Sequence, residues 1–226
     1  MQTLKDKLDF VLQKIERSRI AYSRHQVIKL VAVSKYSEVE KIIELYHCGQ
    51  RAFGENKVQD LKHKKELLED LPLEWHFIGH LQTNKINAIL DLRPFMIHSI
   101  DSFALANEIQ KRCVAKDIKV KALLQVNSAG EEHKYGVKPE ECVEIYCQIQ
   151  EKCSHIDLQG LMCMGAHTDK IFEIEKSFNQ TKKLFDLLQP QGAKVLSMGM
   201  SQDYEIAIAN GSNLLRIGSE IFRSSF

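Results

Sequence analysis

Short apolar runs alternate with amphipathic segments along nearly the whole chain. After an opening stretch at about 2–23, which predicts a helix, apolar and β-branched runs recur, and a segment with helical spacing of its apolar residues follows each one. The run at 120–126, Val-Lys-Ala-Leu-Leu-Gln-Val, is the plainest strand candidate. The pattern predicts eight strands, at about 27–33, 51–53, 74–78, 95–100, 120–126, 158–163, 194–197 and 213–217.

Eight strand–helix units in 226 residues favour an α/β fold, a single (β/α)8 TIM barrel with an extra N-terminal helix. A doubly wound open sheet is the alternative. That fold usually has fewer strands and a glycine-rich turn after the first strand, whereas this turn is Ser34-Lys-Tyr-Ser37. No linker rich in Pro, Gly or Ser divides the chain, so residues 1–226 are expected to form one domain.

Composition and charge exclude several classes of function. The chain is 44% hydrophobic and 27% charged, with a formal net charge of +1, so it has no long-range field to attract nucleic acid or an anionic membrane. The N-terminal segment lacks an uninterrupted apolar run, which predicts a cytoplasmic protein without a signal sequence. The six cysteines show no CxxC pair and are expected to be reduced. No metal site is predicted, and His76 and His80 are interpreted as strand and loop residues.

The residues with distinctive chemistry lie where predicted strands end. Lys35 follows the first strand, and an amine at this position is capable of Schiff-base chemistry, although a surface lysine is the plain alternative. Arg216 lies inside the apolar eighth strand, where an unpaired guanidinium is costly, so it is expected to face a carboxylate or a bound cofactor. In a (β/α)8 barrel these strand ends form the active face.

The segments after the seventh and eighth strands resemble a phosphate site. Gly199 and Ser201 follow one strand, and Gly218 and Ser219 follow the other. Glycine lets backbone N–H groups approach an anion, and these two loops hold phosphate in many barrels. Ordinary turn chemistry is the alternative explanation. A reactive lysine together with a phosphate site indicates a phosphorylated carbonyl cofactor.

A set of motifs, found in order along nearly the whole chain, identifies a family resemblance. The motifs are Val31-Ala-Val-Ser-Lys35, Phe53-Gly-Glu-Asn56, His76-Phe-Ile-Gly-His-Leu-Gln-Thr-Asn-Lys85, His98-Ser-Ile-Asp101, Lys134-Tyr-Gly136, Gly160-Leu-Met-Cys-Met164, Leu196-Ser-Met-Gly-Met-Ser201 and Leu215-Arg-Ile-Gly218. Together they resemble the YggS/PROSC family of pyridoxal phosphate homeostasis proteins.

The resemblance implies a fold-type III barrel, like the N-terminal barrel of alanine racemase, with pyridoxal 5′-phosphate (PLP) held as a Schiff base on Lys35. By motif position Arg216 would face the pyridine nitrogen and Asn56 would lie beside the ring. The phosphate would be held by Ser201, Gly218 and Ser219. Three positions depart from the usual family pattern without removing a contact: Ser219 replaces threonine, Tyr36 follows the lysine, and the chain ends in Phe222-Arg-Ser-Ser-Phe226.

The resemblance further implies a non-catalytic PLP carrier that acts in vitamin B6 homeostasis and amino-acid balance. We expect a monomer, although the sequence itself does not define the oligomeric state. Its expected partners are PLP and either PLP-dependent apoenzymes or free amino acids, and neither nucleic acid nor a membrane. An amino-acid racemase is the alternative, and a Schiff-base aldolase is the third choice. An arginine at the ring nitrogen weakens the electron sink, and related racemases bring an opposing base from a second domain. Tyr36, Tyr135 and His167 are the nearest candidates for such a base.

Overall fold

Eight parallel strands close into a barrel in the computed structural model, which describes residues 2–131 and 133–223. Each strand pairs with the next one in the chain, and the eighth pairs with the first. The strands are β1 (Lys29–Val33), β2 (Ala52–Glu55), β3 (Glu74–Phe77), β4 (Met96–Ile100), β5 (Val120–Val126), β6 (Ile156–Cys163), β7 (Val195–Ser197) and β8 (Leu214–Ile217).

Helices cover the outside of the barrel. Three short 3₁₀ segments, Thr83–Lys85, Pro139–Glu141 and Gln189–Gln191, adjoin them. The α-helices within the described ranges are α1 (Leu4–Tyr22), α2 (Val39–His47), α3 (Val58–Leu67), α4 (Ile86–Asp91), α5 (Phe103–Lys116), α6 (Cys142–Lys152), α7 (Ile171–Leu188), α8 (Tyr204–Ala209) and α9 (Ser219–Phe222).

The main core lies between the strands and the helices. Strand residues that point outward, such as Phe53, Trp75 and Ile97, are buried there against the apolar faces of the helices. Burying a large apolar side chain contributes about 1.5–3 kcal/mol, so this layer holds each helix against its strand. The interior of the barrel is left for a second and more polar set of side chains.

The N-terminal helix α1 lies outside the barrel repeat. Thr3 and Asp6 form a capping box at its start, in which each side chain accepts a hydrogen bond from the other residue's backbone N–H. Leu8, Val11 and Ile15 recur every three or four residues and are buried where α1 packs against α2, α8 and α9. The helix therefore covers the barrel beside the junction of β8 and β1.

The predicted (β/α)8 barrel is confirmed, and the open-sheet alternative is excluded because β8 pairs with β1. Predicted and observed strand ends differ by at most two residues, for example 27–33 against Lys29–Val33. The altered chain end lies outside the described residues from residue 224 onward. All six cysteines carry free thiols.

The described residues contain neither a candidate membrane-spanning helix nor a candidate metal cluster. None of the helices there is both long enough and apolar enough to cross a membrane. Residues 2–131 and 133–223 also contain no group of three or more His, Cys, Asp or Glu side chains placed to hold a metal ion.

Candidate functional site

Lys35 lies at the carboxyl end of β1, two residues beyond the strand. The side chain is half-buried, and its Nζ lies 5.0 Å from the centre of the Tyr36 ring, which is itself 82% exposed. The amine forms neither a hydrogen bond nor an ion pair with any residue that the structure describes. It is therefore available to a ligand at the mouth of the barrel.

A buried ion pair supports the backbone immediately before Lys35. The fully buried Oε1 of Glu55 accepts a hydrogen bond from Ser34 Oγ at 2.6 Å and pairs with Lys64 Nζ at 2.8 Å. Lys64 Nζ also donates to the backbone carbonyl of Ser34 at 2.7 Å. Burial raises the pKa of the Glu55 carboxyl, although both donors oppose the shift. The network joins the ends of β1 and β2 and so holds the turn that carries Lys35.

Asn56 presents a buried acceptor at the end of β2. Its Oδ1 is sealed from solvent and has no hydrogen-bond partner in the described part of the chain. Gly79, two residues beyond β3, packs against the backbone of Asn56, because a Cβ built on Gly79 would lie 2.0 Å from the Asn56 carbonyl oxygen. An unpaired buried acceptor costs about 1–3 kcal/mol, and a ligand that donates a hydrogen bond to Oδ1 would remove that cost.

The sequence-predicted phosphate residues come together beside β1. Ser201 Oγ accepts from the backbone N–H of Gly218 at 3.3 Å and from that of Glu220 at 3.4 Å. A Cβ on Gly218 would lie 2.9 Å from the carbonyl oxygen of Val33, so β8 and β1 are in close backbone contact there. Ser219 begins α9 and is half-buried. The two loops therefore bring backbone N–H donors close to the strand that precedes Lys35.

Arg216 points into the barrel below this mouth. Its side chain is only 5% exposed; Nη1 donates to Ser197 Oγ at 2.6 Å and Nη2 donates to the carbonyl of Cys163 at 2.8 Å. No carboxylate among the described residues lies within ion-pair distance, and burial lowers the pKa of the guanidinium while the charge of Asp203 opposes that change. The barrel thus contains a buried cation bound only by neutral acceptors.

Hydrogen bonds continue from Arg216 through the barrel interior. Ser197 Oγ lies 3.2 Å from Nδ1 of His98, and Nε2 of His98 lies 2.9 Å from Nδ1 of His76. Burial lowers the pKa of His76 to about 3 and holds that of His98 well below its ordinary value of 6.5, so both imidazoles are neutral. We call the series Arg216–Ser197–His98–His76 the interior chain.

Sequence reasoning missed the interior chain. It placed His76 and His98 in strands but gave them no partner, and it treated Ser197 only as part of a motif. A signal is present, because His98 lies two residues after Met96 in β4 and so shares the face of the strand that carries Met96. Which inward residues meet across a barrel depends on strand stagger, and the spacing of apolar residues does not define that stagger.

Other polar residues surround the mouth without meeting Lys35. The His80 ring stacks on Tyr135 with the ring centres 3.7 Å apart, and its Nδ1 lies 3.2 Å from Oδ2 of Asp101. His167 is exposed, and its backbone N–H donates to Glu131 at 3.0 Å. Each of these groups already has a neighbour in the surrounding loops.

The chain is similar to curated proteins over its whole length. A protein of Helicobacter pylori, named pyridoxal phosphate homeostasis protein, is 60% identical over 223 residues, which cover 99% of this chain and 100% of that protein. The protein of the same name from Aquifex aeolicus is 38% identical, with 96% of each chain covered.

Solved structures have the same fold. A protein of unknown function from Bifidobacterium adolescentis matches with a TM-score of 0.92 at 34% identity, covering 97% of this chain and 94% of that one. PipY of Synechococcus elongatus, solved with PLP bound, matches with a TM-score of 0.84 at 30% identity, covering 98% and 100%. Alanine racemase of Clostridium difficile shares the fold at 18% identity and a TM-score of 0.75, covering 97% of this chain and 57% of the racemase.

The profile of the family described as alanine racemase, N-terminal domain, matches residues 14–225. This span includes every strand of the barrel and every candidate site residue. The chain therefore belongs to the alanine racemase N-terminal domain family, and within it to the group whose curated members are named pyridoxal phosphate homeostasis proteins.

Proposed function

We propose that this protein binds pyridoxal 5′-phosphate at the carboxyl ends of its strands and acts as a carrier in vitamin B6 homeostasis and amino-acid balance. The observation that carries the proposal is the convergence of Lys35, an amine without a described protein partner, with the backbone N–H donors of Gly218 and Glu220. The names of the relatives and the PLP-bound PipY structure support the same cofactor.

The residues present fit a phosphorylated pyridine aldehyde. When bound, the cofactor supplies an aldehyde that condenses with primary amines, and Lys35 is the amine that we propose for a Schiff base. Ser201 Oγ accepts hydrogen bonds from two backbone N–H groups that could instead donate to a phosphate oxygen. Gly218 has no side chain that would block close approach of the anion. Ser219, which begins α9, is the third residue proposed for the phosphate.

Two further residues are proposed to contact the ring of the cofactor. The orphan Oδ1 of Asn56 lies at the end of β2, the strand next to β1, and would accept a hydrogen bond beside the ring. Arg216 is held in the barrel by Ser197 and Cys163 and is proposed to face the pyridine nitrogen. A permanently charged guanidinium there would keep the nitrogen unprotonated and weaken the ring as an electron sink.

We propose that the protein does not catalyse a robust reaction. Racemisation needs one acid/base group on each face of the substrate carbon, and Lys35 provides only one. The tyrosine beside it, Tyr36, is largely exposed, and Tyr135 is stacked on His80. The relatives' name describes homeostasis and not a reaction, which is consistent with this proposal.

The remaining partners and the setting of the protein are also proposals. A carrier would pass PLP to PLP-dependent apoenzymes or exchange it with free amino acids, and it would do so in the cytoplasm. We propose that residues 1–226 act as one domain and as a monomer, since the described helices pack around one barrel.

The absorption spectrum of the purified protein tests the proposal. A visible band that borohydride bleaches, with the reduced cofactor recovered on the peptide containing Lys35, is the expected result. Lys35→Ala should abolish the band, and the matched variant Lys57→Ala, at an exposed lysine just before α3, should keep it. A colourless protein that gains no band when mixed with PLP, or a band that survives in Lys35→Ala, would contradict the proposal.

A further inference from the structure

A second cavity opens at the amino ends of the strands, on the opposite side of the barrel from Lys35. Its volume is about 230 Å³, and its wall includes the first residues of six strands: Lys29, Ala52, Glu74, Met96, Val195 and Leu214. His76 lies deeper on the same wall and is only 2% exposed. We call this space the lower cavity; none of the residues assigned above to the cofactor lines it.

The interior chain determines which hydrogen bond His76 offers to the lower cavity. Arg216 can only donate, so Ser197 Oγ accepts from it, and the Ser197 hydroxyl proton has one available acceptor among the described residues, Nδ1 of His98. His98 then carries its proton on Nε2 and donates it to Nδ1 of His76. His76, which is neutral, must therefore carry its proton on Nε2.

The Nε2–H of His76 is a donor without a protein acceptor in the described part of the chain. In that part of the chain only Nδ1 of His76 forms a hydrogen bond, and its Nε2 is not sealed from solvent. Because His76 lines the lower cavity, this donor is offered to whatever enters it. The occupant must therefore supply a hydrogen-bond acceptor.

The charges at the entrance favour an anion. Lys29 and Lys194 line the lower cavity, and Lys121 lies over the ring of Phe95, another lining residue, at 4.7 Å. Neither Lys29 nor Lys194 has an ion-pair partner among the residues described, and Glu74 is the one carboxylate on the wall. Lys29 and His76 line the same cavity, so an anion bound there can meet both groups.

Apart from Asn213, the rest of the wall is apolar, and the volume of the cavity limits the size of the occupant. Val31, Met96, Val195 and Leu214 contribute aliphatic and thioether surface. An apolar cavity of about 150 Å³ is enough to hold benzene, so the lower cavity has room for a somewhat larger molecule. A charged group with a short, branched hydrocarbon chain matches both the polar and the apolar parts of the wall.

We propose that the lower cavity binds a small monocarboxylate with a short branched hydrocarbon chain, whose carboxylate accepts the Nε2–H of His76 and pairs with Lys29. The branched chain lies against Met96, Val195 and Leu214. The proposal does not rest on the cofactor function, because the lower cavity and the cofactor site lie at opposite ends of the barrel.

Methyl NMR of the full-length protein with ¹³C-methyl methionine tests the proposal, using 3-methylbutanoate as the probe. Met96 lines the lower cavity, whereas Met200 lies in the loop after β7 at the opposite mouth. Titration should shift the Met96 methyl signal saturably and leave the Met200 signal in place. The neutral isostere 3-methylbutanamide should bind about tenfold more weakly, because it lacks the charge-assisted hydrogen bonds.

Two lysine variants complete the test. Lys29→Met should weaken binding about fivefold, as expected for a partly solvated charge pair. The matched control Lys176→Met, at an exposed lysine on α7, should bind as the unmodified protein does. Because His76 is buried and its replacement risks the fold, Lys29→Met is the deciding variant. The proposal is overturned by the absence of a saturable Met96 shift, by a shift at Met200 alone, by equal affinity for acid and amide, or by unchanged binding in Lys29→Met.

Discussion

Ser34 Oγ donates a hydrogen bond of 2.6 Å to Glu55 Oε1, and this bond joins the ends of β1 and β2 directly before Lys35. Glu55 is fully buried, and Lys64 on α3 supplies its counter-charge at 2.8 Å. Lys35 thus follows a residue that is hydrogen-bonded to a buried ion pair. The stability of the fold and the proposed attachment of the cofactor therefore depend on the same turn.

Lys64→Met is expected to destabilise the protein by about 3 kcal/mol, since it leaves Glu55 buried without its counter-charge. The matched control is Lys62→Met on the same helix. Lys62 pairs with Glu66 at 3.7 Å with both side chains more than 60% exposed, a pair worth less than about 1 kcal/mol. Urea denaturation measures both. Equal losses in the two variants would show that the buried pair does not support the fold.

Stability should fall as the pH drops below 6.5 because of His76 and His98. Above that value the imidazoles are neutral in both the folded and the unfolded chain and contribute nothing to the pH dependence of the free energy of unfolding. Below it the unfolded chain takes up protons, whereas folded His76, with a pKa of about 3, and folded His98, with a pKa well below 6.5, do not. Unfolding is then favoured by up to about 1.4 kcal/mol per pH unit for each histidine.

The variant His98→Gln isolates this effect, because it removes one titrating ring and leaves every carboxylate unchanged. Between pH 6 and pH 5 its free energy of unfolding should fall less steeply than that of the unmodified protein, by about 1 kcal/mol per pH unit. His25→Gln, at an exposed histidine, serves as the control and should keep the original slope. Denaturation of the apoprotein at several pH values gives the slopes, and an unchanged slope in His98→Gln would contradict the prediction.

Gly218→Ala should weaken PLP binding about tenfold and leave the binding of pyridoxal, which lacks the phosphate, nearly unchanged. The added Cβ would lie 2.9 Å from the Val33 carbonyl oxygen, so the N–H donors beside it must shift. Lys57→Ala, at an exposed lysine just before α3, is the control. Fluorescence titration with both ligands measures the difference. An equal loss for PLP and pyridoxal would argue against a phosphate contact at Gly218.

The barrel was predictable because each strand and helix carries its own local signal. The run Val120–Val126 matches β5 residue for residue, and Ser102, a residue type that favours helix starts, caps α5. Closure of the sheet followed from the number of units alone. The 3₁₀ turn Pro139–Glu141 before α6 has no distinctive local signal, because proline is common at the start of an α-helix as well.

The site was only partly predictable. Ser201 and Gly218 were expected to meet because they follow neighbouring strands, and the hydrogen bond between them is present. Lys64 was not expected, because a lysine on an amphipathic helix is usually solvated and the sequence does not indicate which one turns inward to Glu55. Contacts that depend on helix rotation against the sheet are set by tertiary packing and not by local pattern.

The last prediction separates a carrier from a racemase. Lys35 is one acid/base group, and the nearest candidates for a second are occupied or exposed: Tyr135 is stacked on His80 at 3.7 Å, while Tyr36 and His167 face solvent. Incubation with L-alanine and other common L-amino acids, followed by chiral chromatography, should therefore show no D-isomer above a control containing PLP alone. Added amino acids should displace the Lys35 linkage slowly at most. Steady conversion that disappears in Lys35→Ala and persists in Lys57→Ala would overturn the carrier proposal and favour the racemase.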